Sequence, residues 1–272
     1  ESLAEESLAE EEIGQLRDQD QKDTGGPVPP KKPALPKRFY KDVSVADEGG
    51  RFGLLLDGKP VRTPGRAPLT VPGKALAQAI ADEWRAQGAH IDPRTMPLTK
   101  LANTAIDGVA GQRDGVIDDI LAHARADLLC YRADGPEGLV ARQVKLWDPV
   151  LAWAKESLHA PLSLSQGIVH VAQPEASIAA LRQEIAKLDD FGLAALHVMT
   201  SLTGSALLAL AVALKRLTQD EAWDAAHVDE DFQVDRWGED AEARARRIAR
   251  KTDFDAAARA LDLSELRPNP SP

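Results

Sequence analysis

Phe191 to Leu214 is a run of 24 residues without a formal charge, and it narrows the possible folds more than any other stretch of the chain. A bilayer span needs about 20 consecutive apolar residues, so the run is long enough to be one. Its middle argues otherwise. His197, Thr200, Ser201, Thr203, Gly204 and Ser205 crowd the depth at which hydrocarbon tolerates polar groups least. Acids and bases flank both ends without a clear sidedness. The expectation is one central buried helix, with the charged elements packed around it. Its polar middle could also be a place where a partner packs.

A helix buried on all sides needs neighbours, and the sequence supplies amphipathic ones. Leu76, Ile80 and Trp84 recur at four-residue steps. Leu98, Leu101, Ala105 and Val109 mark a second stripe, Val116, Ile117, Ile120 and Leu121 a third. Ile178, Leu181, Ile185 and Leu188 form another behind Pro174. Thr218 followed three residues later by Glu221 is a capping box, expected to start a long helix. Before Pro72 the pattern differs. Val43 and Val45 alternate with polar partners, Glu48-Gly49-Gly50 turns, and Phe52 to Leu56 reads as a strand. Asp57-Gly58 is a strong hairpin signal before Val61 to Thr63 returns, and Pro64-Gly65 turns again before Leu69 to Val71. The fold class expected is α+β: a small antiparallel β-rich N-terminal domain over 38–110, with one or two helices, and a larger all-helical C-terminal domain over 111–272.

Residues 1–37 are expected to be a mobile acidic tail and linker. Residues 1–24 hold nine acidic and two basic side chains, so they carry most of the formal charge of −10. Gly25 to Pro36 concentrate five prolines with two glycines, a composition that cannot bury a core. The remaining body is close to neutral, and no nucleic-acid footprint is expected. Arg244, Arg246, Arg247, Arg250 and Lys251 read as a solvated basic helix face. One cysteine, Cys130, excludes an internal disulfide framework; beside Leu128 and Leu129 it reads as a small buried hydrophobe. An acid-rich start is the reverse of a transit peptide, so a bacterial cytoplasm is expected ahead of a mitochondrial matrix.

Residues 127–153 combine a thiol beside Tyr131-Arg132, a turn at Asp134-Gly135-Pro136, and a helix carrying Trp147-Asp148-Pro149. Val140, Val144, Trp147, Leu151 and Ala154 would share one apolar face. Pro149 predicts a kink, with Asp148 capping the restarted helix. Other blocks occur in order along the chain: Arg38-Phe39-Tyr40-Lys41, Leu56 to Pro64, Glu83-Trp84 with Gln87, Thr95 to Asp107, and Glu230-Asp231-Phe232-Gln233 leading to Trp237-Gly238. Together, from about residue 38 to 262, they resemble the assembly chaperones that hold the α subunit of the ATP synthase catalytic head (F1) before it is built in. The resemblance implies an assembly factor of the proton-transporting ATP synthase and not an enzyme. It implies the α subunit as partner, no cofactor, and no membrane insertion. The chain is expected to be a monomer when free.

Chemistry-bearing motifs are sparse. No His-Glu-x-x-His, Cys-x-x-Cys or Gly-x-Ser-x-Gly element occurs. Gly49, Gly50 and Gly53 lack the strand-to-helix context and the Lys-Ser/Thr of a phosphate loop. With no ATP-hydrolysing motif, chaperone activity is expected to be ATP-independent. Asp224, His227 and Asp231 lie near one helical face and raise the alternative of a metal-dependent hydrolase. The residues expected at a partner surface are Glu230, Gln233, Trp237, Gly238, Glu239 and Glu242. Glu230, Gln233 and Trp237 are spaced three and four apart and share a face. A mixture of carboxylate, amide and indole suits an interface centre, although Trp237 in the core with Glu230 paired to an arginine fits the spacing equally well. Members of the resembling family often continue after this Trp-Gly with a His-Asp pair; here the run is Glu239-Asp240-Ala241-Glu242-Ala243-Arg244.

Overall fold

A computed structural model describes residues 35–167 and 169–264. The acidic tail expected over 1–37 lies, up to residue 34, outside the described residues. From Lys37 onward the chain makes one compact unit.

The first part is a small antiparallel sheet. Strands β1 (Val43–Asp47) and β2 (Phe52–Leu56) pair over their full length, and β2 also pairs with β3 (Lys59–Pro60) and β4 (Thr70–Val71). The tight connection from β2 to β3 needs two residues in the left-handed region, and Asp57 (φ 48°) and Gly58 (φ 76°) supply them. The Asp57 carboxylate accepts the backbone N–H of Lys41 and Asp42 at 3.0 and 2.8 Å. These donors hold its carboxyl below the usual range.

Among the described residues ten α-helices follow: α1 (Lys74–Arg85), α2 (Pro97–Asn103), α3 (Arg113–Arg125), α4 (Glu137–Ser157), α5 (Glu175–Ala186), α6 (Asp190–Thr203), α7 (Ala206–Ala213), α8 (Gln219–Ala226), α9 (Val228–Trp237) and α10 (Ala241–Leu263). Several family-like blocks are joints between them. Glu83 of α1 caps α2, accepting Leu98 N–H, Thr99 N–H and the Thr99 hydroxyl at 2.7–2.8 Å. Gln87 donates to Glu83 O and Thr95 Oγ1, and accepts Asp92 N–H. A π-helical turn, Thr104–Val109, swings Asp107 toward the sheet, where it accepts Thr63 Oγ1–H at 2.7 Å and Gly65 N–H at 2.8 Å. One apolar core runs from Leu54, Leu69 and Val71 of the sheet region to Phe254 and Ala260 of α10.

The uncharged run is buried, but as two helices and not one. Gly204 takes the left-handed conformation (φ 69°) that ends α6, and the Ser205 side chain accepts Leu208 N–H to start α7. Asp127 explains why that break can sit in the core. Its fully buried carboxylate accepts Leu129 N–H and Leu207 N–H, each at 3.1 Å, and is bonded by Ser205 and Ala206. It thereby meets the free donors at the start of α7. Burial pushes this carboxyl up to about 6, the donors holding it back. No helix among the described residues is long and apolar enough to cross a membrane.

Two other expectations change. The helix at Thr218 has its capping box but stops at Ala226, because His227 leaves helical geometry (φ −112°, ψ 16°) before α9 begins. Helix α4 is assigned without a break through Pro149, between the buried Trp147 and Val150, so it does not restart there, and Asp148 pairs with Arg132 instead of capping. Its buried face is Gln143, Trp147, Val150 and Ala154, and Val144 is exposed. Gln143 tolerates burial because its amide accepts Ala133 N–H and donates to Asp229 Oδ1. Cys130 is buried, its thiol pushed up to about 12 by desolvation and by Asp127, so it behaves as the inert small side chain expected.

Candidate functional site

Helix α9 is tied to α4 and to α10. Val228 and Phe232 are its buried positions. Against α4, Asp229 accepts from Gln143 at 2.7 Å, Asp235 pairs with Arg142 at 2.7 Å, and the Phe232 ring lies beneath the guanidinium groups of Arg142 and Arg236. Toward α10, Asp231 pairs with Arg247. Just before α9, α8 is fixed in turn: Trp147 of α4 donates its indole N–H to Ala225 O at 2.7 Å, and Trp223 packs on His227 and on Phe254 of α10. The outward side is left to positions 230, 233 and 237, roughly opposite the buried pair.

Those are the positions expected from the sequence to meet a partner. Trp237 is 83% exposed, the most exposed large apolar side chain among the described residues. It therefore contributes little to the core. Gln233 is exposed. Glu230 is half-buried and makes no ion pair with any described residue, while its charge acts on His227 and Arg247. Gly238, with φ 84°, ends α9 in a conformation that favours glycine. Glu239 and Glu242 are exposed and face Arg244 (3.6 Å) and Arg246 (2.5 Å). Glu230, Gln233 and Trp237 thus share one helix face, and Gly238, Glu239 and Glu242 continue into the turn and the first turn of α10. Ile248, on α10 one residue beyond Arg247, is 58% exposed and had not been singled out, because one large apolar residue among Ala and Arg gives no periodic signal.

The basic run on α10 is a paired face. Arg247 holds Asp231, Lys251 reaches Asp220 and Asp255 at 2.8 Å, and Arg250 donates to Leu202 O. The three residues of the metal alternative are engaged separately. His227 is buried, its Nδ1 bonded to Trp223 O at 2.8 Å, and desolvation lowers its pKa. Asp231 is held by Arg247, and Asp224 is an exposed residue whose carboxyl is raised by partial desolvation and by Asp231 and Asp220. Among the described residues no group of three His, Cys, Asp or Glu is placed to hold a metal.

Residues 37–155 match the family model described as ATP12 chaperone protein. That match ends before α9. A fission yeast relative, Protein atp12, mitochondrial, of Schizosaccharomyces pombe, is 25% identical over 214 residues, 74% of each chain. Among solved structures, Atp12 of Paracoccus denitrificans superposes with a TM-score of 0.79 at 44% identity, over 84% of this chain and 98% of that one. The Atu1473 protein of Agrobacterium tumefaciens gives a TM-score of 0.81 at 52% identity, over 84% of this chain and 86% of its own.

Proposed function

The chain belongs to the ATP12 chaperone family, and from that premise we propose that it holds the unassembled α subunit of the ATP synthase catalytic head through the outward face of α9. An α subunit without its neighbours exposes the surface meant for them, and large exposed apolar patches aggregate. A holdase has to cover that surface firmly and still let go. One observation carries the reading: an indole open to 83% stands at the end of a helix tied to α4 and α10. A rigid aromatic anchor ringed by polar groups suits the centre of an interface. The surrounding Gln233, Glu239 and Glu242 would form its polar rim.

A standard interface of about 1,600 Å² is small beside the surface of a chain this size. Release follows from competition: incoming β subunits occupy overlapping surface on α and displace the chaperone. Nothing in that cycle calls for ATP hydrolysis by this chain, and the lack of a nucleotide-binding motif supports the ATP-independent form. The proposed compartment is a bacterial cytoplasm, in keeping with the two bacterial relatives. Purified α and β subunits test the displacement step. The account expects β to reduce the amount of chaperone bound to α in proportion to its concentration; a stable three-way complex would overturn competition.

A further inference from the structure

The chain holds four Asp-Gly steps, at 57–58, 107–108, 114–115 and 134–135. In such a step the amide nitrogen of the glycine can attack the carboxyl carbon of the aspartate before it, because glycine has no Cβ to crowd the approach. The five-membered ring closes only if the side chain is free and ψ can turn out of its regular range. The fold withholds that freedom at three of the four. The Asp57 carboxylate accepts Lys41 N–H and Asp42 N–H at 3.0 and 2.8 Å. Asp107, inside the π-helical turn, accepts the Thr63 hydroxyl and Gly65 N–H at 2.7 and 2.8 Å. Asp114 and Gly115 lie in the first turn of α3, so closing the ring there would take ψ out of the helical range and unwind the turn.

Asp134 differs on each count. It is exposed and lies outside any helix or strand, between the short strand Tyr131–Arg132 and α4. Its carboxylate makes no hydrogen bond or ion pair with a described residue, and Gly135 N–H is equally unengaged. The freedom is confined to these two residues. On one side Ala133 N–H is held by the buried Gln143 Oε1 at 2.9 Å. On the other, Pro136 O accepts Leu139 N–H at 2.9 Å as α4 begins.

We propose that Asp134 is a self-modification site, at which the Asp134–Gly135 linkage isomerises to isoaspartate. Gly135 N forms a bond to Asp134 Cγ, and the carboxyl hydroxyl leaves with the amide proton as water. Water then adds back to the cyclic imide. Opening at the main-chain carbonyl leaves that carbon as a free carboxylate and carries the chain on through Cγ, one backbone atom longer. One water leaves and one returns, so no oxidant, cofactor or second protein takes part.

The test ages the full chain for weeks in warm, mildly acidic buffer and maps its peptides by mass spectrometry. The imide reads as the loss of one water. Isoaspartate, unchanged in mass, is read by methyl transfer from S-adenosylmethionine to the new carboxylate, catalysed by an isoaspartyl carboxyl methyltransferase. The expected result is product at Asp134 at least about tenfold faster than at Asp57, Asp107 or Asp114, the factor that one retained hydrogen bond supplies. In urea the four sites should converge. Gly135→Ala adds a Cβ into open space, with nothing within 4 Å, and should suppress product at Asp134 in the folded chain. Equal rates at the four sites of the folded chain, a faster site among the other three, or formation at Asp134 untouched by Gly135→Ala would each overturn the proposal.

Discussion

Replacing Trp237 by alanine should separate binding from folding more cleanly than any other single change. An indole side chain offers about 150–250 Å², and 83% of it is open here, so a partner can cover roughly 120–210 Å². At about 25 cal/mol per Å² that is a ceiling of about 3–5 kcal/mol. A central anchor realises at least about 2 kcal/mol of it, a loss of about 30-fold in affinity for the α subunit. The fold should not notice, because an exposed side chain that makes no ion pair and no capping bond changes stability by less than about 0.5 kcal/mol. Calorimetric titration of the α subunit, run beside thermal unfolding of the free variant, reads both quantities. Unchanged affinity, or a variant that unfolds well below the parent, would refute the reasoning.

Glu230→Lys should also abolish α binding with the fold intact, since no described residue pairs with that carboxylate; pull-down of α together with circular dichroism checks it. Asp127 sets a pH dependence. Its folded pKa of about 6 exceeds the ordinary 3.8, so its contribution is fully present below about pH 4 and is lost as pH rises through about 6, a fall of about 3 kcal/mol. Asp127→Asn should remove that part of the slope in urea unfolding followed from pH 4 to 6.5, and an identical slope would contradict it. Gly73→Ala should cost at least about 2 kcal/mol, because φ is 80° and the new Cβ would lie 2.7 Å from Leu263 O at the end of α10. Trp147→Phe leaves Ala225 O without its donor and should cost about 1–3 kcal/mol, with a matching drop in melting temperature.

Patterns confined to one element were legible. The Asp57-Gly58 turn, the Thr218–Glu221 box and the stripes Ile117/Ile120/Leu121 and Ile178/Leu181/Ile185/Leu188 all follow from local chemistry, and the structure has them. Breaks and facings that depend on a distant residue were not. The Gly204-Ser205 break is stable in the core because Asp127, far away in sequence, caps it. The burial of Gln143 in place of Val144 depends on Asp229, 86 residues on. Helix α8 stops at His227 where its imidazole bonds back to Trp223 O, and periodicity carries no trace of that bond. For the candidate site, the spacing of Glu230, Gln233 and Trp237 put them on one face, but could not say whether that face looked inward. The burial of Val228 and Phe232, the latter against Arg142 of α4, goes with Trp237 turned out to solvent.

Light scattering by isolated α subunit, warmed without nucleotide, tests the central claim most directly. Equimolar chaperone should keep α in solution with no ATP added, and the Trp237→Ala chain at the same concentration should leave it to aggregate. If α scatters equally with and without the chaperone, or if the two chains protect it alike, the claim that this face shields an orphan subunit is contradicted.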